Sequence, residues 1–232
     1  MATSGTTAFN MDLTEIVEEA FERAGGELRT GYDLRTASRS LNLMFSQWAN
    51  RGLNMFTYEE GSIALVPGQS TYNLPADTVD LLEHVIRTGA GSASTQADLT
   101  ITRISVSTYA TIPNKLTQAR PIQVWIERLN TPVIHVWPVP DNSQTYTFVY
   151  WRLRRIQDAG TGVNTMDMPF RFYEAMTAGL AYHLALKIPG GMDRLQVLKQ
   201  QYDEAWELAS TEDREKAAIR LVPRRMSIGG SY

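Results

Sequence analysis

Three observations predict an α+β fold, an antiparallel β module inserted into a four-helix assembly. Apolar residues recur at helical spacing near both ends of the chain, over 12–51 and again over 170–210. Between them, from about 56 to 157, the pattern alternates with period two and is punctuated by turn residues. Strands and helices never alternate in the way a parallel sheet requires. The division that follows is 12–55 and 165–216 for the two parts of a helical domain, 56–160 for the β-rich insertion and 217–232 for an extended C-terminal arm.

In the first helix, Asp12 and Glu15 have capping-box spacing, and Met11 and Ile16 are placed as a hydrophobic staple. Leu13, Ile16, Val17, Ala20, Phe21 and Ala24 form its apolar stripe, and Gly25-Gly26 ends it as a left-handed cap would. Asp33 is the expected cap of a second helix. Its buried face holds Leu34, Ala37, Leu41, Met44 or Phe45, and Trp48, its solvent side holds Arg35, Arg39 and Gln47, and Arg51-Gly52 closes it. The acidic first helix beside this more basic one suggests charge complementarity between the two.

Residues 62–66 and 71–74 flank Pro67-Gly68-Gln69-Ser70 and read as a β-hairpin. Strands are expected at 81–87, although 80–84 alone would tolerate a helix, and at 99–104 and 146–154. A second hairpin pairs 122–128 with 133–137, and a short helix capped by Ser105 ends before Pro113. The small-residue stretch 89–96 reads as a loop that is mobile or ordered by a partner. Residues 170–187 are apolar almost all round, so this helix must be covered on most sides. After Pro189-Gly190-Gly191, a second helix begins at Asp193 as its cap, with Met192 and Val197 as a staple. It buries Leu195, Leu198, Tyr202, Ala205 and Ala209, and the pair makes an αα-hairpin.

The chain has 232 residues, 22 Lys and Arg against 25 Asp and Glu, a net charge of −3 and no cysteine. That excludes disulfides, thiolate metal sites and a thiol nucleophile. A slightly acidic balance is not that of a general nucleic-acid binder. No run approaches membrane-span length, so no membrane partner is expected, and the small polar start reads as a loose lead rather than a secretory signal.

The search for chemistry returns no catalytic, cofactor-binding or metal-binding residue and predicts no enzyme. His84, His135 and His183 are not at ligand spacing, and His183 reads as a hydrogen-bonded core histidine. Residues 160–165 superficially match a dinucleotide-binding glycine motif, but the third glycine and the surrounding βαβ unit are absent, so a flexible connection is expected. Arg152, Arg154 and Arg155 end the long strand beside Tyr150 and Trp151. They read as a solvated strand end or cation–π packing within the sheet, with a phosphate or subunit contact as the alternative. In the C-terminal arm, Arg220, Arg224 and Arg225 stand among Ile219, Leu221, Val222 and Ile228, a combination suited to folding onto a partner. Arg220, Leu221, Val222, Arg224, Arg225 and Ile228 are therefore the candidate partner interface.

Several segments, in this order and spacing, resemble the head-to-tail connector adaptors of short-tailed bacteriophages, the family that includes tail tubular protein A. They are 15–25 (Glu-Ile-Val-Glu-Glu-Ala-Phe-Glu-Arg-Ala-Gly), 37–45 (Ala-Ser-Arg-Ser-Leu-Asn-Leu-Met-Phe) with 48–52 (Trp-Ala-Asn-Arg-Gly), and 67–75 (Pro-Gly-Gln-Ser-Thr-Tyr-Asn-Leu-Pro). Residues 136–141 (Val-Trp-Pro-Val-Pro-Asp), 150–152 (Tyr-Trp-Arg) and the apolar segment 170–187 complete the resemblance, which spans roughly 12–218. It implies a structural virion protein assembled in the host cytoplasm. Such adaptors form a ring of twelve copies beneath the portal protein, receive the tail nozzle protein and often the tail fibres, and continue the channel through which genomic DNA passes without sequence-specific binding. It carries no catalytic residues, and in this family extended C-terminal segments often grip the portal. Mild negative charge suits a conduit along which phosphates must slide. The alternatives are another minor tail or stopper protein or, less favoured, a carboxylate-based hydrolase acting on cell wall.

Overall fold

The computed structural model describes residues 3–7, 9–29, 31–51 and 55–214. In chain order the elements are α1 (Leu13–Ala24), α2 (Gly31–Asn50), β1 (Tyr58–Leu65), β2 (Thr71–Asn73), β3 (Thr78–Thr88), β4 (Ala97–Thr100) and β5 (Thr102–Arg103). There follow α3 (Val106–Thr111), β6 (Gln123–Glu127), β7 (Val133–Trp137), β8 (Tyr146–Arg154), α4 (Tyr173–Ala185) and α5 (Leu195–Glu212). The fold class is α+β. Two separate hydrophobic cores form, one from both ends of the chain and one from its middle.

The helical core is organised around α4. Its faces are apolar nearly all round, and from Tyr173 to Ala185 only Glu174, Tyr182 and His183 escape full burial. Helices α1, α2 and α5 supply the cover such a segment requires. All six stripe residues of α1 are buried, and α2 buries both Met44 and Phe45 together with Ala37, Ser40, Leu41 and Trp48. Trp48 is the aromatic hub: its ring lies 4.6 Å from that of Trp206 and 5.9 Å from that of Phe172, and its Nε1 donates to the Tyr202 hydroxyl at 2.7 Å. Trp206 falls between the apolar positions expected of α5, and its packing comes from the aromatic cluster rather than from the stripe.

Helix α1 begins with all four of its otherwise orphaned N–H groups satisfied. Asp12 and Glu15 form the expected capping box, with bonds of 2.9 and 3.0 Å. The N–H groups of Leu13 and Thr14 donate to the carbonyls of Asn164 and Gly162, at 3.0 and 3.1 Å. The glycine-containing segment 160–165 is therefore a docked strap on α1 rather than a flexible connection. Gly25, at φ +85°, supplies the left-handed cap. Two other expected caps do not form. Helix α2 starts two residues earlier than Asp33, whose carboxylate accepts from Arg29 N–H within the first turn. Asp193 lies in a 3-10 turn (Gly191–Arg194) set up by Gly190 at φ +80°, and Met192 and Val197 are both exposed rather than stapled. Gly52 lies outside the described residues.

The middle of the chain forms two four-stranded sheets, ordered β1-β8-β3-β4 and β2-β7-β6-β5. Leu81, Ile86, Phe148 and Tyr150 from the first sheet meet Val124, Ile126, Ile134 and Val136 from the second. The expected hairpin of 62–66 with 71–74 is a corner instead. Strand β1 pairs with β8 and β2 pairs with β7, so the chain changes sheets at Pro67-Gly68. Tyr72 holds the corner: its hydroxyl accepts from Val66 N–H at 2.9 Å and lies 2.9 Å from the Gln69 carbonyl. The expected strand 99–104 is likewise divided, with β4 in one sheet and β5 in the other. The β5–β6 pairing is parallel, a departure from a purely antiparallel module. The hairpin of β6 with β7 and the helix capped by Ser105 form as expected. Residues 89–96 turn tightly between β3 and β4, held by their own bonds from Ser92 N–H to Gly89 O and from Gln96 N–H to Ser92 O.

Candidate interface surfaces

The three arginines that end β8 are paired within the chain. Arg152 is buried between Asp77 at 2.5 Å, Glu59 at 2.5 Å and the Thr78 hydroxyl at 2.9 Å. Burial works against its charge, but the hydrogen bonds it donates to the two carboxylates prevail and hold its pKa above the usual value. The hydrogen bond from Arg152 in turn holds Asp77 below the usual carboxylate range. Arg154 forms a two-pronged pair with Asp167 at 2.5 and 2.9 Å, and Arg155 donates to the Ala76 carbonyl at 2.7 Å. Neither a solvated strand end nor cation–π packing describes Arg152 and Arg154, whereas Arg155 is exposed as a solvated end would be. The cluster ties β8 to the segments entering β3 and α4, and its cations are committed to these partners.

The histidines are placed without metal geometry. His135 is clamped by Thr71 and Glu127, each at 3.2 Å, and stacks on Trp125 at 4.6 Å. His84 stacks on Phe148 at 5.9 Å with both ring nitrogens buried and unpartnered, and burial lowers its pKa. His183 is half-buried and its Nε2 has no hydrogen-bond partner, which corrects the expected hydrogen-bonded core histidine. Among the described residues no group of acidic or histidine side chains could hold a metal ion, and no helix is long and apolar enough to cross a membrane.

Among the described residues, two helical faces have no internal partner. On α2, Arg35, Arg39, Asn42, Leu43, Ser46 and Asn50 fall within a stripe of about 100°, at 100° per residue, directed away from the buried face. Grooves flank this stripe on both sides, and Ser46 lines three of them. Leu43 is 62% exposed and Leu186, across one groove, 50%. The second face lies between α1, α4 and α5, where Arg23, Glu174, Gln201, Glu204, Ala205 and Leu208 line a groove. Arg23 bonds Glu174 at 2.6 Å and Glu19 at 2.8 Å, and these carboxylates raise its pKa, Glu174 most. The cation of α1 thus pairs within α1 and with α4, and among the described residues no ion pair of the kind the charge pattern suggested joins the α1 carboxylates to the α2 arginines.

Leu43 was detectable in the sequence as an apolar residue off the buried stripe of its helix, and Leu208 likewise. Asp213 was not. It is buried just beyond α5 and paired with Arg171, 42 residues earlier, a contact with no local sequence signal. The candidate interface residues Arg220, Leu221, Val222, Arg224, Arg225 and Ile228 lie outside the described residues.

No curated protein matches the chain. The sequence model of the SU10 adaptor protein family matches residues 11–226, which takes in both cores and most of the arm, through Arg220, Leu221, Val222, Arg224 and Arg225. A core assembled from both chain ends, a β module between them and faces without internal partners suit a structural role. The chain belongs to the SU10 adaptor protein family, phage structural adaptors.

Proposed function

We propose that the protein works as the tail tubular protein A-like connectors do. A ring of copies, twelve by that resemblance, joins the portal protein at the capsid vertex to the tail nozzle protein and continues the DNA channel. The observation that carries this reading is the family match, which runs through both cores and into the arm. The helical core serves as a rigid stave and the β module as the part directed toward the tail and its fibres. The arm at 217–232 grips the portal, its apolar residues contributing ~25 cal/mol per Å² buried and offsetting the entropy of ordering. The chemistry is that of a structural protein rather than an enzyme.

Electron microscopy of the protein alone and mixed with the portal of the same virus tests this. A ring seated on the portal is expected, and failure of two folded proteins to associate overturns the reading. Deleting 217–232 should leave the fold intact, by circular dichroism and thermal melting, while weakening portal attachment. Unchanged attachment would rule out the role given to the arm.

A further inference from the structure

The two unpartnered helical faces lie on opposite sides of the same helix. Glu174 lines the α1/α4/α5 groove, and His183 lines the groove beside α2. They are nine residues apart on α4, about 900° of rotation at 100° per residue, which places them on opposing faces. Their chemistry is complementary. The α2 face presents Arg35 and Arg39, with Lys187 at its edge, and no carboxylate lines the two grooves these residues share with Leu43. Among the described residues Arg39 has no hydrogen-bond or ion-pair partner, Arg35 donates only to the Gly31 carbonyl, and Lys187 donates to the Ser40 hydroxyl at 2.6 Å. On the other face Glu174 and Glu204 line the groove with one guanidinium, Arg23, which is already paired with Glu174 and Glu19, so the groove itself is acidic; Arg194 approaches only the Arg23 carbonyl beside it, at 3.4 Å. Each face also carries exposed apolar surface, Leu43 and Leu186 on one and Leu208, 74% exposed, on the other.

We infer that the α2 face of one copy docks against the α1/α4/α5 face of the next, a head-to-tail contact between copies of this chain. The leucines exclude water and the charges set register. Because the two faces are different and opposed, each copy keeps its other face free after pairing, and the pair still presents one of each. Such a contact propagates and closes into a ring when the rotation allows. The exposed Leu43 and Leu186 beside the arginines fit a protein partner better than a phosphate backbone, which offers no apolar surface. The inference rests on the adaptor reading for its ring but assigns the contact to particular residues.

The chain has no cysteine, so single cysteines can be introduced cleanly. Leu43→Cys and Leu208→Cys are exposed sites that leave both cores untouched. With a short bismaleimide, with and without portal present, the double variant should give a ladder of trimers and larger species. The two single variants mixed should give dimers and stop there, and either alone should stay monomeric. Arg35→Glu with Arg39→Glu should cut the ladder about tenfold, the magnitude of one to two charge contacts, and adding Glu204→Arg should restore part of it. Dimers from Leu43→Cys alone would show a symmetric contact and overturn the inference. So would absence of a ladder under both conditions, or loss of double-stranded DNA retention as the sole effect of the arginine changes. Portal capture measured on the same samples separates the two readings: capture without a ladder sinks the contact and spares the adaptor role, and a ladder without capture does the reverse.

Discussion

Each core contains one glycine pressed against a large side chain, and the two sites differ in how freely their surroundings can move. At the centre of α4, a Cβ on Gly179 would lie 2.5 Å from Met44 Sδ and 2.7 Å from the Tyr202 ring. Those neighbours come from α2 and α5, and Tyr202 is itself held by its bond from Trp48. In the β core, a Cβ on Gly61 would lie 2.5 Å from the Tyr150 ring. There the glycine sits on β1, an outer strand of its sheet with β8 on one side only. The helical core is closed around its glycine from three directions, whereas the β core has an edge that can shift outward. Equal crowding thus meets unequal freedom to relax.

That contrast sets the largest expected effect. Gly179→Val should cost ~3 kcal/mol, since overpacking and a β-branched residue within a helix both oppose it. Gly61→Val should cost under ~1 kcal/mol, because strand preference for valine offsets part of the clash. Urea unfolding of both variants measures the difference, and equal losses would break the comparison.

An effect no larger than this is expected at the ion cluster around Arg152. Arg152→Met leaves Glu59 and Asp77 near solvent and should cost ~1–2 kcal/mol. Glu59→Gln with Asp77→Asn strands a buried guanidinium without counter-charge and should cost more, ~3 kcal/mol. If thermal melts place the two variants in the reverse order, the cluster is held by packing rather than by charge.

The smallest effect concerns acid. Burial lowers the pKa of both His84 in the β core and His183 in the helical core; Glu83 opposes this at His84, whereas Lys187 and Arg51 add to it at His183. A histidine with a lowered folded-state pKa stays neutral when folded while the unfolded chain takes up a proton below about 6.5. Its contribution is therefore fully present above that pH and is lost as pH falls below it. His84→Phe should remove part of the stability loss between pH 7 and pH 5, by ~1 kcal/mol at most. An unchanged pH slope would exclude His84 as its source.

The helices were largely legible in the sequence and the sheets only in part, for a physical reason. A 3.6-residue stripe states both that a helix exists and which face is buried, and the residues expected inside α1 are all buried. Period-two alternation states which side chains share a face but not which strand lies alongside. Pro67-Gly68 marked a turn correctly, yet only the hydroxyl of Tyr72, gripping Val66 and Gln69, shows that the chain turns a corner between sheets. The arginines of β8 stood out as a cluster, but Asp77, Glu59 and Asp167 reach them across distances in sequence that no local pattern encodes. Of the candidate interface, the exposed leucines were visible as apolar residues off their stripes. That they lie on opposite sides of one bundle required the packing of α4.

The strap at 160–165 has a bearing on synthesis. The start of α1 is completed by carbonyls that lie about 150 residues later in the chain. A ribosome adding roughly 5–20 residues per second makes the β region and the strap well after α1 has emerged. The first two helices must therefore wait, with their apolar stripes uncovered, until α4 and α5 arrive. A prematurely terminated product would lack the pieces that finish its own first helix. The interleaving of the chain ends means that the helical core closes only once α4 and α5 have been made.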